Sequence, residues 1–350
     1  MNTSLPSNMS QWESRVNRES TTNRSRWVIV LAGGDGDRMR PFIQGWLGEP
    51  RPKQYCTFVG TRSMLRHTID RATALVPPER VITVVGKSHR AFLGSETRSI
   101  AGRIIEQPRS CGTAAGIFLP ISYIMAEAPD ATVLILPSDH FAYPESTFLC
   151  YALGGFLLAE ANQDSLVLLG ARATRPETDY GWIKPSREGG VSITAGAVWP
   201  FSAVEDFKEK PTLVEATNLL AQGCLWNTMI VASTVRTLWE LGWRLLPQMM
   251  ERFHAFQRVL WDVRSGQADA CEETRALQDV YIDMESQDFS RDMLQRAPQS
   301  IRVLPMQGVV WCDWGRPERV MSILDGLKLQ PASPFLFSGR LRQPTAQRTS

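Results

Sequence analysis

Residues 27–41 read Trp-Val-Ile-Val-Leu-Ala-Gly-Gly-Asp-Gly-Asp-Arg-Met-Arg-Pro and decide how the rest of the chain is interpreted. The apolar, β-branched run predicts a buried strand over Val28–Leu31. Because the three glycines that follow carry no side chains, their backbone N–H groups can approach a phosphate closely. Arg38 adds a planar charged group that suits phosphate oxygens. The stretch therefore predicts a nucleotide or phosphoanhydride site at the end of the first strand.

The glycine loop does not match either of two common phosphate-binding motifs. It lacks the Gly-Lys-Ser/Thr ending of a Walker-type loop, and Met39 stands where a dinucleotide fingerprint has its third glycine. Taken alone, the loop also fits a strand-to-helix turn that binds no ligand. Other parts of the chain must decide between these interpretations.

Composition narrows the class of protein. With 350 residues and 43% hydrophobic residues, the chain can form one large α/β domain or two smaller ones. Its 38 basic and 36 acidic residues leave a net charge of +2, which argues against nucleic acid or an anionic membrane as a partner. The N-terminus lacks the apolar core of a secretory signal. Six cysteines without a Cys-x-x-Cys pair are typical of reduced thiols, so we expect a cytoplasmic protein.

Strand and helix signals alternate along the first half of the chain. Strand-like runs cover 28–31, 81–85, 104–106 and 132–136, and helical spacing covers 63–76 and 113–126. This pattern predicts an α/β fold with a mixed, mostly parallel sheet and helices on both faces. In the second half we expect a strand at 166–170, a short segment that ends with 207–211, and helices at 212–222, 235–246 and 249–263. We expect a leader over 1–25, one domain over 26–330 and a flexible tail over 331–350.

Two aspartates follow apolar runs and are candidate magnesium ligands. Asp139 follows the run 134–136 after Pro137 and Ser138, and Asp313 follows a second apolar run near the end of the domain. The carboxyl end of a strand in a parallel sheet is the ligand edge, and Mg²⁺ takes one or two carboxylates together with substrate phosphates. A turn-forming aspartate that caps the next segment explains Asp139 equally well. His140 is expected to be a packed neighbour rather than a ligand.

Three further motifs have both a functional and a structural interpretation. Lys53, in Pro-Lys-Gln, can fold back onto the phosphates or lie in a surface loop. The segment 176–183 combines an acid, an aromatic residue and a glycine that permits close approach of a sugar. Glu209 and Lys210 can bind hydroxyls and a phosphate, or form a solvated charged edge.

Taken together and in this order, the motifs resemble those of the sugar nucleotidyltransferase (nucleoside-diphosphate-sugar pyrophosphorylase) family over roughly residues 26–325. The matching elements are Leu31-Ala32-Gly33-Gly34-x-Gly36-x-Arg38, Pro52-Lys53-Gln54, Gln107-Pro108, Gly112-Thr113-Ala114, Leu136-Pro137-Ser138-Asp139-His140, Pro176-Glu177-Thr178-x-Tyr180-Gly181, Glu209-Lys210-Pro211, Trp226-Asn227 and Trp311-x-Asp313-x-Gly315. Pro-Glu-Thr-x-Tyr-Gly and Pro-Lys-Gln favour the mannose/guanosine branch. The resemblance implies a Rossmann-like nucleotidyltransferase fold with a smaller sugar-binding subregion. It also implies a Mg²⁺-dependent transfer from GTP to mannose 1-phosphate, which yields GDP-mannose and pyrophosphate.

The resemblance also implies a role for each matching residue. Arg38, Lys53 and Asp139 would be catalytic, with Arg38 and Lys53 on the triphosphate and Asp139 and Asp313 on Mg²⁺. The nucleotide would be bound by Leu31, Ala32, Gly33, Gly34, Gly36, Gln107, Pro108, Gly112 and Thr113. The sugar phosphate would be bound by Glu177, Gly181, Glu209, Lys210 and Asn227. In-line transfer to the α-phosphorus needs positioning and charge neutralisation rather than a protein nucleophile.

Three residues depart from the family pattern. Asp37 replaces a threonine or serine beside the polyanion site, Cys111 stands where relatives often carry an arginine, and Arg316 replaces a small residue. The enzyme alternative is a transferase for another sugar 1-phosphate or nucleotide. A catalytically weak, nucleotide-sugar-binding regulatory homologue is the alternative from another class, and Asp37 and Cys111 are its support. A homodimer is an open option.

Overall fold

The computed structural model describes residues 25–96, 102–194 and 197–332. The strands are β1 (Arg26–Ala32), β2 (Val81–Gly86), β3 (Arg103–Gln107), β4 (Thr132–Pro137), β5 (Phe141–Tyr143), β6 (Leu166–Arg172), β7 (Gly181–Thr194), β8 (Ala197–Glu209), β9 (Leu225–Thr234), β10 (Ile301–Met306) and β11 (Val310–Cys312). The helices are α1 (Arg40–Leu47), α2 (Met64–Leu75), α3 (Arg90–Glu96), α4 (Gly112–Glu127), α5 (Glu145–Ala161), α6 (Leu213–Ala221), α7 (Val235–Leu245), α8 (Pro247–Arg264), α9 (Ala270–Tyr281) and α10 (Pro317–Leu327).

One large sheet organises the described residues. Its strand order is β3-β2-β1-β4-β9-β6-β10-β8-β7. β3, β2, β1 and β4 pair in parallel, and β6 pairs in parallel with β10. Because β9 is antiparallel to both β4 and β6, and β8 is antiparallel to both β10 and β7, only β8 and β9 run against the other strands. This confirms the predicted mixed, mostly parallel sheet.

Helices cover both faces of the sheet, as predicted. α4 contributes Ile117, Phe118 and Ile121 to the core cluster on one face. α5 contributes Phe148 and Phe156 to the cluster on the other face. Because both faces are covered, central strands such as β1 can be almost entirely apolar, and their carboxyl ends form the open edge that positions the site.

Several elements follow from packing rather than from sequence periodicity. α5 has buried residues on all sides, so no amphipathic stripe predicts it. The β7–β8 hairpin is held by Trp199, which lies against α5: a Cβ at Gly154 would come within 2.5 Å of its indole ring. The predicted leader and tail fall almost wholly outside the described residues and stay predictions. None of the helices in the described part of the chain has the length and hydrophobicity needed to span a bilayer.

Candidate active site

The glycine loop follows the carboxyl end of β1, where the sequence predicted it. Gln54, in the turn that contains Lys53, stabilises the glycine loop. The Nε2 atom of Gln54 donates to the main-chain oxygens of Ala32 (2.8 Å) and Gly34 (2.9 Å). Gly36 has a φ of +65°, and a Cβ there would lie 3.3 Å from the Cβ of Lys53. Glycine at position 36 therefore satisfies both the backbone conformation and the close approach of Lys53.

Lys53 is buried beside the loop, with only 4% of its surface exposed, so the surface-loop interpretation of Pro-Lys-Gln is wrong. Its Nζ lies 2.8 Å from Oδ2 of Asp139 and donates to the main-chain oxygen of Asp313. A buried ammonium of this kind needs such oxygen partners because burial without them is costly. Lys53 thus connects the turn after the glycine loop, the end of β4 and the end of β11.

Asp139 is the second residue after β4 and retains 36% side-chain exposure. Burial would raise the pKa of this carboxyl group, but Lys53 and His140 outweigh it and lower the pKa. Among the described residues, Oδ1 has a single long contact, 3.5 Å to Nε2 of His140, whose ring packs edge-on against Trp311. The carboxylate therefore keeps an oxygen with few competing contacts, which fits a ligand for Mg²⁺ shared with phosphate oxygens. The packed position of His140 agrees with its predicted role.

The carboxylate of Asp313 is held differently. Its Oδ1 accepts hydrogen bonds from the Tyr180 hydroxyl (2.7 Å), the Gly315 N–H (3.0 Å) and Nη1 of Arg319 (2.8 Å). Arg319 Nη1 also reaches Oδ2 at 3.0 Å. Burial raises the pKa of Asp313, but Lys53 and Arg319 prevail and hold it at about 2. Asp313 is thus ionised and close to Lys53, but it can ligate a metal only if an oxygen gives up part of this hydrogen bonding.

Arg319, which the sequence did not single out, is the centre of a buried charge network. Its side chain is 5% exposed, and its Nη2 lies 2.6 Å from Glu177 Oε1 and 2.8 Å from Asp179 Oδ2. The guanidinium also lies over the ring of Tyr180, 4.5 Å from the centroid. The sequence signal for such a cation was the pair of alternating acids in 176–181, Glu177 and Asp179, because carboxylates that become buried need a positive partner. The network ties α10 to the Pro-Glu-Thr-x-Tyr-Gly segment.

The predicted base-side residues lie next to the loop. A Cβ at Gly33 would come within 2.7 Å of Gln107 Oε1, so the two positions are in close contact. Gln107 Nε2 donates to the hydroxyl of Tyr281 at 3.1 Å. Pro108 follows directly in the chain. These residues therefore lie beside the glycine loop, at the carboxyl ends of β1 and β3.

Gly112 and Thr113 begin α4 against the segment that follows α9. Gly112 has a φ of +82°, and Thr113 Oγ1 accepts from the N–H of Phe289 at 2.8 Å. A Cβ at Gly112 would lie 2.2 Å from the main-chain oxygen of Gln287. The amide of Ala114 donates to that same oxygen at 3.1 Å. The start of α4 is therefore fixed by backbone contacts rather than by a side-chain cap.

We expect Gly112→Ala to lower the free energy of unfolding by about 1–3 kcal/mol, because the methyl group meets both a strained φ and a backbone oxygen. Gly34→Ala is the matched control, since nothing lies within 4 Å of a Cβ at that position. Urea denaturation measures the free energy of unfolding of both variants. Equal stabilities of the two variants would contradict the close approach at Gly112.

Four of the five predicted sugar-side residues, Gly181, Glu209, Lys210 and Asn227, converge at the junction of β7, β8 and β9, whereas both carboxylate oxygens of Glu177 are engaged by Arg319 and Arg175. Gly181 is paired with Glu209, and a Cβ on the glycine would lie 2.6 Å from Glu209 Oε2 and 3.1 Å from the Cβ of Asn227. Glu209 Oε2 is buried without a hydrogen-bond partner among the described residues. Lys210 Nζ lies 3.5 Å from Glu209 Oε1. A buried carboxylate oxygen without a donor is suited to accept from a ligand hydroxyl, so the solvated-edge interpretation of Glu209 is wrong.

Glu209→Gln should raise the midpoint of thermal unfolding at neutral pH and lower activity. Burial raises the pKa of Glu209 against the opposing effect of Lys210, so the fold favours the protonated acid. Wild-type stability is then lost as pH rises from roughly 4.3, the ordinary glutamate value, through the raised pKa. The gain in the variant should vanish below that range. Glu205→Gln, at an exposed ion pair with Lys184, should show no such pH dependence; a destabilised Glu209→Gln at pH 8 would contradict the assignment.

The three departures from the family pattern are accommodated locally. Asp37 points outward, 71% exposed, and pairs with Arg40. Cys111 is buried at the start of α4, where its Sγ lies 3.7 Å from the main-chain oxygen of Met284. Arg316 binds Asp179 through both Nε and Nη2. None of these contacts places a carboxylate against the glycine loop, which removes the objection that Asp37 raised.

Similarity to known proteins identifies the class to which this chain belongs. The sequence profile of the nucleotidyl transferase family matches residues 27–327. The chain belongs to this family.

Relatives share both the sequence and the fold. The chain is 31% identical over 292 residues to the xanthan biosynthesis protein XanB of Xanthomonas campestris pv. campestris strain B100, covering 82% of this chain and 57% of that protein. It is 30% identical over 221 residues to a mannose-1-phosphate guanylyltransferase of Escherichia coli, covering 61% and 45%. A crystal structure from Thermus thermophilus, described as a mannose-1-phosphate geranyltransferase, matches with a TM-score of 0.68 and 27% identity over 85% of this chain and 79% of that one. The chain thus spans about half the length of these curated relatives.

Proposed function

We propose that the chain transfers a nucleotidyl group from GTP to mannose 1-phosphate, producing GDP-mannose and pyrophosphate. The observation that carries the proposal is the meeting of Lys53, Asp139 and Asp313 beside the glycine loop. The relative named mannose-1-phosphate guanylyltransferase and the family membership support the reaction class. The choice of guanine as the base and mannose as the sugar rests on the Pro-Glu-Thr-x-Tyr-Gly and Pro-Lys-Gln elements.

The residues of this site have different roles according to their charge. Lys53 and the exposed Arg38 neutralise the triphosphate and the leaving pyrophosphate, and the loop positions the α-phosphorus. Glu177, Glu209 and Asn227 orient the sugar hydroxyls, while Lys210 attracts the attacking phosphate. Such positioning accelerates an in-line displacement without a covalent enzyme intermediate.

Mg²⁺ would be held by Asp139 together with phosphate oxygens of the substrate. When bound, it neutralises charge that develops between the α-phosphorus and the leaving group. Asp313 joins it as a ligand only by releasing one of its hydrogen bonds with Arg319 or Tyr180; otherwise its charge acts through Lys53. We also propose a cytoplasmic location, supported by six cysteines that are all free.

The test is a pyrophosphate-release assay of the full chain with GTP, Mg²⁺ and mannose 1-phosphate. We expect turnover with this pair and slower turnover with other nucleoside triphosphates and sugar 1-phosphates. Faster turnover with a different pair would establish the alternative transferase. Tight GDP-mannose binding without turnover on any pair would instead establish the regulatory homologue and overturn the proposal.

A further inference from the structure

Asp179 is a carboxylate that three arginines share. It lies between the glycine loop and the start of α10, and its side chain is only 15% exposed. Oδ2 accepts from Nε of Arg316 and from Nη2 of Arg319, the latter at 2.8 Å. Oδ1 accepts from Nη2 of Arg316 at 3.0 Å and lies 3.7 Å from Nη1 of Arg38. The arginine that follows the glycine loop and the arginine that precedes α10 thus meet at one oxygen.

These two arginines are held by Asp179 with different strength. The guanidinium of Arg316 donates to both carboxylate oxygens, an arrangement that is stronger than a single contact. The 3.7 Å contact of Arg38 is too long for a hydrogen bond, and 63% of the Arg38 side chain is exposed. Among the described residues, Asp179 is the one ion-pair partner of Arg38. Arg38 is therefore loosely held and can turn toward a phosphate.

The backbone places Arg316 where it can reach Asp179. Arg316 has a φ of −143° and a ψ of 146°, because the residue before a proline, here Pro317, is kept out of the helical conformation. Its side chain therefore leaves the end of α10 toward the Pro-Glu-Thr-x-Tyr-Gly segment. The small residue of the family pattern could not span this distance. With such a residue, Arg38 would be the remaining described partner of Asp179 Oδ1.

The charge of Asp179 makes this competition consequential. Hydrogen bonding from Arg316 outweighs burial and lowers the pKa of Asp179, and the charges of the three arginines act in the same direction. Asp179 is therefore ionised at neutral pH. An ionised carboxylate with a free oxygen would attract Arg38, whose guanidinium is already within 3.7 Å. Each molecule in which Arg38 is captured in this way would bind phosphate less well.

We propose that Arg316 is a positioning residue for the phosphate site: it occupies Asp179 and thereby leaves Arg38 available to the triphosphate and to pyrophosphate. Arg316 acts through Asp179 and makes no contact with substrate. The inference rests on the proposed role of Arg38 in phosphate binding, but it does not depend on which base or sugar is used. It gives a function to a position at which this chain departs from the family pattern.

Calorimetric titration of the full chain with pyrophosphate and Mg²⁺ tests the inference, because pyrophosphate is the product of every nucleotidyl transfer of this type. Arg316→Ser should weaken binding about fivefold, as expected when one exposed ion pair competes for Arg38. Asp179→Asn in the Arg316→Ser background should restore the affinity to within about twofold of wild type, since the neutral amide no longer captures Arg38. Arg236→Ser is the matched control, because Arg236 forms an exposed ion pair with Asp130 at the amino end of β4; it should bind as wild type.

A second arm leaves Asp179 intact. Arg38→Ala should weaken pyrophosphate binding at least as much as Arg316→Ser, and adding Arg316→Ser to it should cause no further loss, whereas independent contacts would add. An additive loss, or a loss that Asp179→Asn fails to restore, would assign Arg316 a direct phosphate contact and overturn the positioning role. Wild-type affinity in Arg316→Ser would also overturn it. Wild-type affinity in Arg38→Ala would overturn both the inference and the role of Arg38 in the proposed function.

Turnover separates the inference from the proposed function. With GTP and mannose 1-phosphate, Arg316→Ser should raise KM for GTP about fivefold, because bound triphosphate must first draw Arg38 away from Asp179. Its kcat and its KM for mannose 1-phosphate should stay within about twofold of wild type. A lower kcat with an unchanged KM for GTP would indicate a purely structural role and contradict the inference. No turnover in the wild type, together with the expected pyrophosphate affinities, would contradict the proposed function and support the role of Arg316.

Discussion

Asp139→Asn should lower the rate of pyrophosphate release by roughly 100- to 1000-fold, the range seen when one preorganised electrostatic group is removed from an active site. The substitution removes a negative charge 2.8 Å from Lys53 Nζ and a ligand for Mg²⁺. Raising the Mg²⁺ concentration should not restore the rate, because an amide oxygen binds the ion far more weakly than a carboxylate. The assay is turnover over a Mg²⁺ series at saturating GTP.

The fold should survive this substitution. The asparagine oxygen can still accept from Lys53, and the side chain is partly exposed. Asp37→Asn is the matched control, since Asp37 lies near the loop but is exposed and paired with Arg40; its rate should stay within about threefold of wild type, as expected of an exposed pair. An Asp139→Asn variant with the activity of the control would remove Asp139 from the proposed mechanism.

Arg319→Met should lower the free energy of unfolding by about 3–5 kcal/mol, because it removes the buried cation that three half-buried carboxylates, those of Glu177, Asp179 and Asp313, share. Methionine is similar in length, so lost packing is a minor part of the effect. Chemical denaturation at pH 7 measures the difference. Arg319→Lys should recover part of the loss, since it keeps the charge but not the planar fork.

Arg316→Met is the matched control. Arg316 binds the same Asp179 from the start of the same helix but is 53% exposed, so its loss should cost at most about 1 kcal/mol. The pH dependence provides a second check. The pKa of Asp313 is held at about 2, so its ion pair stabilises the fold above the ordinary aspartate range and is lost as pH falls toward 2. The difference in free energy of unfolding between wild type and Arg319→Met should therefore become smaller as the pH falls from the ordinary aspartate range toward 2. A difference that does not change with pH would mean that the arginine stabilises the fold through packing.

The sequence predicted the parallel half of the sheet and the position of the glycine loop because both have strong local signals. β1, β2 and β4 are short apolar runs bounded by helical spacing, and burial on both faces produces that pattern. β9 was not predicted. Met229, with a φ of 57°, interrupts the alternation of side chains along β9 at the point where the register between β9 and β6 shifts.

The site could be predicted only as a set of candidate residues. Motif order indicated Lys53, Asp139 and Asp313, but their meeting depends on contacts between distant parts of the chain. Arg319 had no sequence signal of its own, because its role comes from acids in the 176–181 segment that only the fold brings to α10. Likewise, the surface-loop interpretation of Lys53 was reasonable for a Pro-Lys-Gln tripeptide, since its burial arises from tertiary contacts alone.

The place of β10 in the sheet has a consequence for how the chain acquires its structure. β10 separates β6 from β8 although it follows both in sequence, and Lys53 finds its second oxygen 260 residues further along the chain. Contacts of such long range are slow to form and come late in folding. During synthesis, the first four strands of the sheet can pair while β6 and β8 still present unpaired edges. A chain halted before residue 301 would therefore be prone to aggregate, and Lys53 would gain its second oxygen only after Asp313 has been synthesised.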